Sequence, residues 1–236
     1  MLALLLAASL LHTISLEGDT HHVQGIAVDE GRLFVTSVDR AAHKGFLSEY
    51  DLTSGRLLRS IEIQQGDLFH PGGFDIDDNS LWIPVAEYRP NSRSAIQRRS
   101  KQTLELLSSF EIPDHIGALA AAGSTLILAN WDSRAFYTCS FDGKILRKRP
   151  NPNPTSYQDI KFRYGALVAS GLYPKPRKGG AVEWLDPETL TPLQSISFGL
   201  TDRGTAFTHE GMDLRDNLLY LLPEDSPSRL FVFSFN

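Results

Sequence analysis

Residues 25–39 read GIAVDEGRLFVTSVD: a short apolar run, a polar turn at Asp29-Glu30-Gly31, and a second apolar run opening at Leu33. Apolar runs of this length, broken by Asp, Glu and Gly, predict two short β-strands joined by a tight turn. The same fifteen-residue pattern returns four times without a gap. It reads GFDIDDNSLWIPVAE from Gly73, ALAAAGSTLILANWD from Ala118, DIKFRYGALVASGLY from Asp159 and GMDLRDNLLYLLPED from Gly211. The leucine that opens the second run stands at Leu33, Leu81, Leu126, Leu167 and Leu219. A pattern repeated in this way is one structural unit used five times, and it decides the architecture.

Each unit continues into a second pair of runs. These are GFLSEYDLTSGRLLRSIEI from Gly45, SAIQRRSKQTLELLSSFEI from Ser94, AFYTCSFDGKILRKR from Ala135 and GAVEWLDPETLTPLQSISF from Gly180. Asp-Leu-Thr-Ser-Gly, Asp142-Gly143 and Asp-Pro-Glu-Thr-Leu are turn chemistry, so each unit holds four antiparallel strands, the blade of a β-propeller. The fifth unit ends after SRLFVFSFN, three strands in, and HTISLEG from His12 supplies a fourth strand from the other end of the chain. The expectation is an all-β, five-bladed β-propeller, a single domain over residues 12–236, with the N-terminal strand closing the last blade. No stretch sustains a helical period for three turns, and a two-sheet sandwich explains short strands but not an ordered five-fold repeat.

The formal net charge of −5 and pI near 5.8 give no reason to expect a nucleic-acid partner. The basic run Arg89, Arg93, Arg98, Arg99 and Lys101 reads as a solvated loop and strand edge. MLALLLAASLL over residues 1–11 is too short to span a bilayer and has the apolar core of a secretion signal without its basic start. Export to the periplasm or medium is therefore expected, a strand or helix packed on the domain being the alternative and leaving the chain cytoplasmic. No other segment is apolar enough to cross a membrane. Cys139 is the one cysteine and reads as a core thiol. A monomer is expected.

The Leu-Tyr and Leu-Trp second strands and the Asp-x-x-Thr-Gly type turns resemble bacterial propellers of the YVTN, NHL and gluconolactonase-like kind. THEGMDLRDNLLYLLPED from Thr208 is similar to the repeats of phytase-like and SdiA-regulated propellers. As a whole the chain resembles an uncharacterised bacterial propeller family carrying a domain of unknown function. The shared positions set strands and turns, so the resemblance implies an architecture and carries over no catalytic residues.

In a propeller the first strand of each blade lines the central channel, and residues just before it share a face with those just after the second strand. Three residues before each repeat stand His22, His70, His115, Ser156 and Thr208, with His21, Gln24, Gln158, His209 and Glu210 beside them. At the end of the second strand stand Asp39, Glu87, Asp132, Tyr173 and Asp225. Three imidazoles at one channel mouth suit a divalent, zinc-like transition metal on His22, His70 and His115. Glu210 or Glu87, with His209, would serve as acid–base groups. The alternative is a wet channel mouth holding ordered water and no metal. Calcium is a weaker option on Asp75, Asp77, Asp78 and Asp213, which turn chemistry already accounts for in part.

Gln24, Asp39, Arg40, Tyr88, Arg89, Asn130, Asp132, Gln158, Tyr173, Arg203 and Asp225 are the candidate contacts for a small polar molecule such as a sugar, acid or lactone. Trp82 and Trp184 lie within strand patterns and read as packing between blades. No Gly-x-Ser-x-Gly elbow, Walker motif or dinucleotide fingerprint is present, and Pro71-Gly72-Gly73 reads as close strand packing rather than a phosphate cradle. Two functions stand: a metal-assisted hydrolase or lyase acting on a small polar substrate, and a non-catalytic propeller that binds a ligand or a protein.

Overall fold

A computed structural model describes residues 7–235 as five antiparallel sheets arranged as a five-bladed propeller. The first strand, β1 (Ala8–Ser15), belongs to the last blade. Blade one holds β2 (His22–Asp29), β3 (Arg32–Asp39), β4 (Lys44–Asp51) and β5 (Leu57–Glu62). Blade two has an inner strand broken into β6 (Leu68–Pro71) and β7 (Asp75–Ile76), then β8 (Ser80–Glu87), β9 (Ser94–Ser100) and β10 (Leu106–Ile112). Blade three runs β11 (Ile116–Ala122), β12 (Thr125–Asn130), β13 (Ala135–Ser140) and β14 (Ile145–Pro150). Blade four runs β15 (Ser156–Arg163), β16 (Ala166–Leu172), β17 (Gly180–Leu185) and β18 (Pro192–Phe198). Blade five holds β19 (Glu210–Arg215), β20 (Leu218–Pro223) and β21 (Arg229–Phe235), with β1 outermost. Among the described residues no helix is long and apolar enough to cross a membrane.

Inner strands are covered on both faces by neighbouring blades, so β3 and β8 are buried almost end to end, whereas outer strands such as β14 are exposed. This is why the second strand of each repeat reads as a continuous apolar run rather than a strict alternation. The core is correspondingly divided into five wedges, one for each junction between blades. Trp82 stacks on Phe141 across the junction of blades two and three, and Trp184 meets Phe235 edge-on across that of blades four and five. Cys139 lies in the wedge between blades two and three, where burial pushes its thiol up to about 11.

Closure of the ring starts earlier than HTISLEG. Ala8, Ser9 and Leu10 already pair with Phe235, Ser234 and Phe233, and after a bulge His12 to Ser15 pair with Val232 to Arg229. The last four residues of the apolar N-terminal run are thus strand, because β21 offers them a ladder. Residues 1–6 of that run lie outside the described residues.

Around the axis the inner strands come close enough to need glycine. A Cβ on Gly25 would lie 2.5 Å from Gly73 Cα, and one on Gly72 would lie 2.2 Å from the Gly117 carbonyl oxygen. Gly73 donates to the Gly117 carbonyl at 2.8 Å, and its own carbonyl accepts from Leu119 at 2.9 Å. The Pro71-Gly72-Gly73 stretch is strand packing, as its sequence suggested.

Below this constriction the free inner edges of the strands are satisfied by carboxylates. Asp159 accepts from the amides of Ile26 and Met212, Asp213 from Val28, and Asp75 from Ala121. A buried N–H without a partner is costly, so these acids do for the channel what a further strand would do for an open sheet. Arg163 bridges Asp75 and Asp213, with contacts of 2.8 and 2.9 Å, and Lys161 pairs with Asp159. Desolvation pushes the Asp159 carboxyl up to about 7, against the pull of Lys161 and two amides. Asp75 and Asp213, two of the four carboxylates weighed for calcium, converge on a guanidinium, and Asp77 accepts from the turn amides and Trp82 Nε1.

In the basic run Arg89 and Arg93 stay exposed, whereas the other three form cross-links. Lys101 reaches Asp29 in blade one, Arg98 lies over Trp82, and Arg99 is buried against the Leu104 carbonyl.

Candidate active site at the channel mouth

The starts of β2, β6, β11, β15 and β19 meet on one face of the disc and enclose a cavity of about 150 Å³. His22, Gln24, His70, Tyr88, His115, Asn130, Trp131, Asp132, Gln158 and Glu210 all line it, together with Gly117 and Tyr157. No lysine or arginine is in this wall. The volume is small for a ligand site and suits a compact molecule.

The three expected histidines share this cavity but have different surroundings. His70 is buried, its ring tilted against Tyr88 at 4.1 Å and 5.2 Å from that of His115. Its Nε2 lies 2.8 Å from Gln24 Oε1, and Gln24 spends its own Nε2 on the Val23 carbonyl. The His70 proton therefore sits on Nε2, leaving Nδ1 a buried acceptor without a partner. Desolvation, then the neighbouring imidazoles of His115 and His22, hold the ring well below the ordinary histidine range, and it stays neutral. His115 is likewise lowered by burial, while Nδ1 donates to the Arg89 carbonyl at 3.0 Å. His22 is half-buried; its Nδ1 is 2.8 Å from Glu224 Oε1, outside hydrogen-bond geometry.

Glu210 is the buried carboxylate of the wall, with 4% of its surface exposed. It holds φ at +98°, where a side chain is strained. Its Oε1 lies 2.9 Å from His209 Nε2, with which it forms an ion pair when the imidazole is protonated. His209 stands behind it and lies 3.7 Å from Glu224. Burial works against a charged His209, but Glu210 and Glu224 outweigh it and raise its pKa. Among the described residues, the one group of three donors whose ligand atoms all lie within 4.8 Å of one another is His22, Glu210 and Glu224. His22, His70 and His115 are not such a group: His70 is held by Gln24 and His115 by the Arg89 carbonyl, apart from His22.

Other expected contacts fall outside the cavity. Glu87 is tied to Arg89 and Arg93, whose guanidinium groups hold its carboxyl below the usual range, so it is not placed as a base. Arg40 lies over the Tyr88 ring at 5.0 Å, and Asp39 caps its loop at Ala42. Tyr173 bonds Ser197 and carries Arg177 on its ring. Arg203 pairs with Asp225, which also holds Arg229. The guanidinium groups expected to greet a ligand are spent on carboxylates and aromatic faces. A larger groove of about 590 Å³ lies on the opposite face between blades one and two, where Lys101 pairs with Asp29, and Arg32 and Arg59 pair with Glu49.

Residues 10–161, more than half of the chain, match the model described as "Family of unknown function (DUF6454)". The chain belongs to that family. No curated protein matches it. The DUF6454 chain is similar to the crystal structure of Myxococcus xanthus glutaminyl cyclase, at 14% identity and a TM-score of 0.72, over 97% of this chain and 96% of that one. It is also similar to the WD40 β-propeller domain of Doa1, at 9% identity and a TM-score of 0.54, over 96% and 97% of the two chains. At these identities the likeness is one of fold.

Two residues of the DUF6454 site, Tyr157 and Glu224, were not singled out from sequence. Glu224 precedes Asp225, which the repeat had marked; β20 ends at Pro223, so the mouth position falls one residue earlier. Tyr157 donates to Glu183 at 2.6 Å while lining the cavity, and its place in the run before Asp159 gave no sign of either.

Proposed function

We propose that the channel mouth is the active site of a hydrolase or lyase acting on a compact polar molecule, with Glu210 moving the proton. The observation that carries this reading is Glu210 itself: a buried carboxylate on a strained backbone, paired with His209 and set in the cavity wall. A non-glycine residue at such φ costs about 1–3 kcal/mol, which a purely structural position would shed by using glycine. In a hydrolysis, Glu210 Oε2 takes a proton from water as the water oxygen attacks the substrate carbonyl carbon, then returns it to the leaving group. Gln158 offers an amide hydrogen bond, and Tyr88 and Trp131 offer apolar walls. The closed ring supports a pocket complete in one chain.

The test is turnover of a panel of small esters, lactones, amides and lactams, with a glutaminyl peptide added because the Myxococcus protein of this fold is a glutaminyl cyclase. The expected result is turnover by the wild type and a loss of at least about a hundredfold in E210Q with the fold intact. Ligand binding without turnover by the wild type overturns this reading in favour of a non-catalytic binding propeller. We also propose export, on the strength of the apolar run at residues 1–11; fractionation of cells expressing the full chain tests it, and recovery in the cytoplasm alone overturns it.

A further inference from the structure

We propose that His22, Glu210 and Glu224 hold a divalent transition-metal ion at the lip of this cavity. The inference deepens the proposed function: where the ion binds rests on the donors alone, and what it does there rests on that reading. One imidazole nitrogen and two carboxylate oxygens within 4.8 Å of each other are a zinc-class donor set, since calcium takes oxygen ligands throughout.

Three features point to a bound ion rather than to a chance gathering of acids. His22 Nδ1 and Glu224 Oε1 are 2.8 Å apart but not hydrogen-bonded, so the nitrogen is a shielded donor without a partner. Glu210 brings a buried carboxylate oxygen to the same point. The third is the gradient of burial, from buried Glu210 through half-buried His22 to exposed Glu224, which leaves the ion a path from solvent. His22 and Glu210 both face the cavity, so an open coordination position would face it too.

His70 and His115 are poorer candidates. His70 spends Nε2 on Gln24 and His115 spends Nδ1 on the Arg89 carbonyl, and neither joins a compact group. They remain in the wall as neutral rings beside the ion. A water on that ion would lose its proton more readily than bulk water, and Glu210, holding the ion through one oxygen, would keep the other to take that proton.

The experiment is calorimetric titration of the chelator-stripped full chain with Zn²⁺, with Co²⁺ absorption as a coordination readout, on wild type, H22A, E224Q and H115Q. One saturable site is expected in the wild type and H115Q, weakened more than about tenfold in both H22A and E224Q, with the Co²⁺ spectrum changed in each. Glu224 is exposed, so E224Q keeps the test valid even if H22A fails to fold. No saturable site in the wild type, or unchanged affinity in E224Q, overturns the proposal. A site that binds Zn²⁺ in a protein with no turnover sinks the proposed function alone; turnover by metal-free protein with no Zn²⁺ site sinks this inference alone.

Discussion

Glu210 and His70 show how single residues at the mouth are held in states that cost stability. At φ +98°, alanine keeps the backbone strain of Glu210 while glycine removes it. Glu210→Gly is therefore expected to be about 1 kcal/mol more stable than Glu210→Ala, about 2–4 °C in melting midpoint for a chain of this size, with neither variant active. Paired thermal melts check this, and equal midpoints would remove the strain from the argument. His70 gives a pH dependence of defined sign. Its folded pKa is lowered well below 6.5, so the stability tied to it is present above pH 6.5 and drains away as pH falls and the unfolded chain takes up a proton that the folded chain refuses. Between pH 7 and pH 5 the wild type should lose stability more steeply than H70Q, by up to about 1.4 kcal/mol per pH unit for one proton. Parallel slopes in melts across that range would contradict a neutral His70.

At the scale of elements, the first strand shows how much a ladder matters. Deleting residues 1–11 removes the pairs of Ala8, Ser9 and Leu10 but leaves His12 to Ser15 on β21 and Leu16 bonded to the Ser228 carbonyl. That protein is expected to fold with a lowered midpoint. Deleting residues 1–15 bares the edge of β21 and uncovers Ile14's neighbours Leu230 and Val232 in the wedge between blades five and one. Aggregation on size-exclusion chromatography is the expected outcome, and a monodisperse ring without β1 would show that closure does not need it. The strands also explain which site residues could be read from sequence. His22, His70 and His115 were placed at one mouth because β2, β6 and β11 begin in the same repeat register, and strand direction alone then fixes the face. Glu224 was hidden by a shift of one residue in blade five, and its approach to His22 and Glu210 by rotamers that no repeat encodes.

For the whole molecule, the feature least visible in sequence is the charged plug in the channel. Lys161 and Arg163 sit in a run that otherwise reads as an inner strand, and the partners of Arg163 are 88 and 50 residues away, in blades two and five. Only the closed ring brings them together. Arg163→Met leaves Asp75 and Asp213 buried without their cation and is expected to cost about 3–5 kcal/mol. Adding D75N and D213N to that variant should restore part of the loss, since the stranded charge is gone. Chemical denaturation of the two proteins measures it, and an R163M protein as stable as wild type would make the plug energetically idle.

The antiparallel course of blade five settles one more property of the disc. Ala8 pairs with Phe235 at the end of the blade remote from Glu210, while Ser15 pairs with Arg229 near it. Ala8 and Phe235 thus lie together on the underside. A tether at either end, whether a fusion partner, a resin or a surface, would leave the cavity facing outward and unobstructed, and the two ends lie near enough for a short linker to make the chain circular.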